Sequence, residues 1–208
     1  MEVKLLKCAK GNGPPKVEKV LGVVGMANRT GTYIAFDGLG RANPAESDFR
    51  YYATIQGWTK LTGTDFKFTN SHDKANAVRD TSKLETLHAS IRQRLASSKN
   101  MLVILSDDTR KRGSVLSWEI EKAVDWYELP LIIAYTGCNS VMAPRKLEGR
   151  WPSTLSERIK VGSASAIHIP FKRDAMLNAI NRFTVNGEKI GSSLQFYSEA
   201  AHREWGYI

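Results

Sequence analysis

The stretch SVLSWEIEKAVDWYELPLIIAY, residues 114–135, predicts a helix that runs into a buried strand. Apolar residues of its first half recur at the helical period and form one core-facing stripe: Leu116, Ile120, Ala123, Val124 and Tyr127. At about 100° per residue, Glu119 projects at the margin of that face, close to its buried side. The second half, LPLIIAY, is a continuous apolar run, typical of a strand buried on both faces. Glu119 is therefore a carboxylate at an unusual place, close to the core-facing side of the helix.

Strands and helices alternate on both sides of this stretch. Strands are predicted at 32–37, 65–70, 101–105, 129–135 and 166–171. The helices that accompany them are predicted at 48–58, 82–95, 114–127 and 174–183. This alternation indicates an α/β fold with a parallel sheet covered on both faces. In the flavodoxin-like, doubly wound order 2-1-3-4-5, ligands bind between strands one and three, and Glu119 could face that crevice.

The length of 208 residues suits a single domain with extensions. We expect residues 1–25 to form a flexible N-terminal extension that contributes little to the core, and residues 26–183 to form the domain. Residues 136–165 read as irregular, and the tail 184–208 should dock on the domain through its aromatic side chains. Because no apolar run approaches the ~20 residues of a membrane span and the two cysteines form no disulfide framework, we expect a cytoplasmic protein without membrane contact.

The net charge of +9 is compatible with an anionic partner, either a nucleic acid or a phosphorylated small molecule, and also with a solvated basic face that has no partner. Only TRKRG (109–113) clusters basic residues, and no basic stripe interleaved with aromatics follows the chain. Sequence-specific nucleic-acid binding is therefore not expected. The four histidines have no metal-ligand spacing, so no metal site is predicted; His168, inside a strand, reads as a core histidine.

Two phosphate-related patterns are incomplete. Gly38-x-Gly40 follows the first strand, but Asn43 replaces the third glycine of a dinucleotide fingerprint. Asp37, the acids after strand three and Lys172 after strand five suggest a phosphoreceiver domain, which remains a minor alternative because Gly38 replaces the second acid after strand one. For Glu119 itself, a helix-face salt bridge with Lys122 is an alternative to a functional role.

Five segments in order resemble a known family. They are YIAFDG (33–38), RDTS (79–82), SSKNMLVILSDDT (97–109), WEIEKA (118–123) and IHIPF (167–171). Together they resemble the TIR-like domain of bacterial anti-phage proteins of the Thoeris kind. That family has the flavodoxin-like fold. Many members are similar to NAD+-cleaving enzymes that make a cyclic ADP-ribose signal, and this signal activates a separate effector during phage infection.

The resemblance implies roles for particular residues. The family's catalytic glutamate lies on the helix after strand three, which transfers that role to Glu119. NAD+, as substrate rather than cofactor, would contact Phe36, Asp37, Gly38, His72, Arg79, Ser106 and Trp118. A homo-oligomer is implied as well. Because some TIR domains are non-catalytic and act by self-assembly or partner binding, such a module is the main alternative.

The chemistry suits a single carboxylate. Nicotinamide leaves NAD+ as a neutral group from a cationic precursor, so no acid is needed to protonate it. What needs stabilisation is a ribosyl centre with oxocarbenium character, as in glycoside hydrolysis. One glutamate beside the ribose can stabilise that charge or orient a hydroxyl.

Overall fold

The computed structural model describes residues 29–39, 48–62, 68–69 and 82–208. In these residues one six-stranded sheet, with every pair of neighbours parallel, has the order β2-β1-β3-β4-β5-β6. Its strands are β1 (Gly31–Ala35), β2 (Phe68–Thr69), β3 (Ser98–Leu105), β4 (Leu131–Tyr135), β5 (Ala166–Pro170) and β6 (Gln195–Phe196). The α/β fold and the order of the first five strands confirm the sequence prediction, and β6 extends the sheet beyond it.

Helices cover both faces of the sheet. They are α1 (Phe49–Thr62), α2 (Ser82–Ala96), α3 (Val115–Asp125), α4 (Ser153–Lys160), α5 (Arg173–Arg182) and α6 (Glu199–Glu204), with a 3-10 helix at Pro144–Arg150. Buried residues of α2, α3 and α4 pack on one face, called here the α3 side. Buried residues of α1 and α5 pack on the other, the α1 side. In the described chain no helix is long and apolar enough to cross a bilayer.

Strand alternation decides which side chain reaches which face. Tyr33 and Ala35 of β1 belong to the α3-side core, whereas Ile34 and Phe36 belong to the α1-side core. The central strands β3, β4 and β5 contribute to both cores, which explains their continuous apolar sequences. The chain leaves β1 toward α1 and leaves β3 toward α3, on opposite faces. The carboxyl ends of β1 and β3 therefore form the switch point of the sheet.

Residues 136–165 are more regular than predicted. The 3-10 helix and α4 lie there, and only Leu155 and Ile159 of α4 are buried. Two buried apolar residues in an eight-residue helix are too few to give a recognisable helical periodicity in the sequence. The expectation of an irregular stretch was therefore wrong for this part of the chain.

The last part of the tail, from Tyr197 onward, packs against the α1 side. The Tyr197 hydroxyl donates to Asn178 on α5 at 2.7 Å, and Trp205 and Tyr207 pack on the α1-side core. His202 is fully buried, and its Nδ1 lies 2.9 Å from the carbonyl oxygen of Ser198. The N-terminal extension predicted at 1–25 lies outside the described residues, so its role stays a prediction.

Candidate functional site

Glu119 lies inside the protein and not at the margin of the core. It belongs to the buried face of α3 and is only 2% exposed. The hydroxyl of Tyr33, at the centre of β1, donates to Glu119 Oε1 at 2.5 Å. Tyr33 is itself fully buried, so the contact joins α3 to the sheet within the core. The predicted alternative of a Glu119–Lys122 salt bridge was wrong, since Lys122 pairs with Glu121 at 2.8 Å.

The environment of Glu119 changes its acidity. Burial raises the pKa of Glu119 from 4.5 to about 7, because the charged form loses its hydration. Hydrogen bonding by Tyr33 and the positive charge of Arg94 lower this pKa, whereas the charge of Asp37 raises it further. The carboxyl group therefore changes its protonation near neutral pH. A strongly shifted group at such a place is a candidate for function.

Asp37 lies two residues beyond the end of β1, and both oxygens of its carboxylate accept hydrogen bonds. Its buried carboxylate accepts hydrogen bonds from the backbone N–H groups of Leu39 and Arg110, both at 2.9 Å. The Arg110 guanidinium adds three more, the shortest at 2.7 Å. This pairing ties the loop after β3 to the end of β1 across the switch point. It also disfavours the phosphoreceiver alternative, in which Asp37 would have to be available to a metal ion.

Ser106 and Phe36 lie toward the α1 side. The Ser106 hydroxyl donates to Asp48 Oδ2 at 3.0 Å, and Asp48 immediately precedes α1. Asp48 is buried, and its Oδ1 has no hydrogen-bond partner among the described residues. Burial raises the pKa of Asp48 to about 6. Phe36 packs against Phe49 and Tyr52 at centroid distances of 6.1 and 5.9 Å.

The predicted site residues thus fall into groups. Glu119 belongs to the α3 side, Phe36 and Ser106 belong to the α1 side, and Asp37 and Gly38 lie beyond the end of β1, at the switch point. The negative charge of Asp37 acts on Glu119 on one side and on Asp48 on the other. The predicted contacts His72 and Arg79 lie outside the described residues.

Trp118 is half-buried on α3, where it packs against the α3-side core beneath a side chain of α2. Its ring stacks on His88 with centroids 4.0 Å apart and planes 9° from parallel. The Lys122 ammonium lies 5.8 Å from the Trp118 ring and 4.4 Å from that of Trp126, which is 64% exposed. Glu119 and Trp118, adjacent in sequence, therefore have different partners: Glu119 contacts Tyr33 of β1, and Trp118 contacts His88 of α2.

Some titratable groups serve the core. His168 Nδ1 lies 2.7 Å from the Tyr135 hydroxyl oxygen, within hydrogen-bond distance. Its Nε2 lies 2.9 Å from the Ser193 carbonyl oxygen. Trp151 Nε1 donates to the same hydroxyl at 2.6 Å. Burial lowers the pKa of His168 to about 4, so it stays neutral, as expected of a core histidine. Within the described residues, no group of three His, Cys, Asp or Glu side chains is arranged for a metal ion.

Sequence reasoning missed Tyr33, Asp48 and Arg110. Tyr33 offered one signal, a hydroxyl within an otherwise apolar strand. A buried tyrosine normally finds a partner for its hydroxyl. The identity of that partner depends on how α3 crosses β1, which a single sequence does not reveal.

Comparison with known families gives one match. Residues 33–140 match the family described as Thoeris protein ThsB, TIR-like domain. The matched region is slightly more than half of the chain. It begins within β1, ends shortly after β4, and includes Tyr33, Asp37, Arg110 and Glu119.

Proposed function

Because the chain belongs to the Thoeris ThsB TIR-like domain family, we propose that it cleaves the nicotinamide–ribose bond of NAD+ in anti-phage defence. The product proposed is a cyclic ADP-ribose-type nucleotide that activates a separate effector. The observation that carries this proposal is Glu119, a single carboxylate buried on α3 and bonded to β1 beside the switch point. Open α/β sheets bind their ligands at such points.

In the proposed reaction, the C–N bond between ribose and nicotinamide breaks and its electron pair leaves with nicotinamide. The positive charge of the pyridinium ring passes to the ribosyl centre. Ionised Glu119 stabilises that centre until a nucleophile attacks it, either a water molecule or a group of the same nucleotide. A charge inside the protein interacts more strongly than one in water, so burial makes this carboxylate effective.

Glu119 must become accessible for this reaction. Glu119 is only 2% exposed, so its carboxylate cannot contact a ribose unless α3 and the adjacent segments of the same chain open locally. The proposal therefore includes a closed resting state and an opening that accompanies substrate binding or assembly. Asp37 and Gly38 at the switch point would line the ribose and phosphate region, and the protein would act as a homo-oligomer.

The test compares two substitutions on one helix. Glu119→Gln keeps the shape and removes the charge, so nicotinamide release should fall by ~10²–10³-fold. Glu121→Gln is the matched control, because its side chain is 40% exposed and pairs with Lys122. The assay is made in phage-infected cells as well as on purified protein, by measuring nicotinamide and cyclic nucleotides. Equal product from wild type and Glu119→Gln would end the catalytic proposal.

A second candidate is a non-catalytic module that works by assembly. The exposed Trp126 and the half-buried Trp118 favour it, since aromatic side chains are enriched at protein interfaces. In this case Glu119→Gln leaves phage protection unchanged. Trp118→Ala would then abolish protection together with self-association, measured by sedimentation.

A further inference from the structure

We propose that Tyr33 is a positioning residue, whose hydroxyl holds the Glu119 carboxylate in its reactive orientation. The inference rests on the proposed function for its catalytic consequence. It rests on geometry for the placement, since the Tyr33 hydroxyl lies 2.5 Å from Glu119 Oε1. The two residues are 86 positions apart and meet only because α3 packs across β1.

The packing of Tyr33 does not require a hydroxyl. Its ring belongs to the apolar α3-side core, and phenylalanine would keep that ring. What the hydroxyl adds is a donor directed at Oε1 of Glu119. A buried hydroxyl is costly unless it is hydrogen-bonded, so this donor is explained by its acceptor.

The donor has a definite effect on the carboxyl group. A hydrogen bond donated to a carboxylate favours its charged form, against the desolvation that favours the neutral one. Tyr33 accordingly lowers the pKa of Glu119, which burial has raised. A tyrosine hydroxyl at the centre of a strand is also rigid, so it fixes the carboxylate relative to the sheet. Tyr33 therefore orients the Glu119 carboxylate and favours its ionised form without contacting the reacting atoms.

The decisive variant is Tyr33→Phe, which keeps the ring and removes the donor. The pKa of Glu119 is measured by carboxyl ¹³C NMR, with Glu119→Gln used to assign the resonance. We expect the pKa to rise by about one pH unit in Tyr33→Phe, the typical effect of one hydrogen bond to a charged group. Tyr197→Phe is the control, since it removes a tyrosine donor directed at Asn178 and should leave the titration unchanged.

Catalysis gives the second readout. NAD+ cleavage should increase with pH as Glu119 ionises, and in Tyr33→Phe this rise should shift upward by about one pH unit. The variant should thus lose about tenfold in rate below both midpoints and recover part of it above pH 9. A merely structural role would lower the rate equally at every pH.

Each result bears on the inference. An unchanged or lowered pKa of Glu119 in Tyr33→Phe would overturn it. A variant more active than wild type at every pH would also overturn it, since Tyr33 would then hold Glu119 out of reach. The NMR titration requires no turnover. If the pKa shifts while Glu119→Gln remains fully active, the positioning of the carboxyl group stands and the proposed function fails.

Discussion

Glu119→Gln should stabilise the protein at alkaline pH, in contrast to most substitutions of buried residues. The pKa of Glu119 is about 7 in the folded protein against an ordinary value of 4.5. The folded state therefore binds this proton more tightly than the unfolded chain does. As pH rises from 4.5, the unfolded chain releases the proton first, and the folded state loses stability relative to it.

The size of this loss follows from the two pKa values. One pKa unit corresponds to about 1.4 kcal/mol. The loss in the free energy of unfolding is therefore on the order of 3 kcal/mol above pH 7, and it vanishes below pH 4.5. Glutamine is neutral at every pH and can still accept the Tyr33 hydrogen bond through its amide oxygen. Between pH 4.5 and pH 8.5, the free energy of unfolding of the variant should therefore rise relative to that of the wild type by about 3 kcal/mol. For a chain of this size, this corresponds to roughly 6–12 °C in melting temperature.

The assay is thermal and urea unfolding of both proteins at half-unit steps from pH 4.5 to pH 8.5. Glu121→Gln accompanies them as the control, because its partly exposed side chain should leave the pH dependence of the wild type nearly unchanged. Parallel pH curves for wild type and Glu119→Gln would refute the reasoning. They would show that Glu119 is hydrated in solution and that the switch-point end of α3 is already open.

Three further substitutions test the polar contacts around the sheet, each by the urea midpoint at pH 7. Asn100→Ala should cost about 3 kcal/mol, because the buried Asn100 amide donates to the carbonyl oxygens of Ile180 and Phe183. Tyr135→Phe should cost about 2 kcal/mol, because it removes the hydroxyl shared by His168 and Trp151. Arg110→Ala should cost about 2 kcal/mol, because it leaves buried Asp37 without its ion pair, although Arg110 is 40% exposed. For any of the three substitutions, a loss below about 0.5 kcal/mol would contradict the assigned contact.

The fold was predictable because its central strands carry strong signals. MLVIL, LIIAY and AIHIP are buried along their full length, and such runs are readable without knowledge of their neighbours. By contrast, β6 has two residues, Gln195 and Phe196, and Phe196 is 43% exposed. Only its parallel pairing with β5 defines it as a strand. Short elements that depend on a tertiary partner leave no local pattern to read.

The candidate site was predictable in part. The helical period located Glu119 beside the buried stripe of α3, and the order of strands placed α3 at the switch point. The degree of burial was not predictable, because it depends on the side chains that meet α3 from β1 and α2. The pairs Tyr33–Glu119 and Asp37–Arg110 join residues 86 and 73 positions apart. Contacts of this range arise from the packed fold and not from local propensity.

The stability cost of Glu119 and its proposed function have one physical cause. A carboxylate kept from water lowers the stability of the folded protein above pH 7, because the Tyr33 hydrogen bond and the charge of Arg94 offset only part of its desolvation. A cationic ribosyl centre brought beside it would supply the missing opposite charge, and the attraction would be strongest when that charge is greatest, at the transition state. A carboxylate already well paired in the resting protein would have less to gain from the same cation. The hydrogen bond from Tyr33 fits this requirement, since it orients Glu119 but does not cancel the effect of burial, which a cationic substrate would offset.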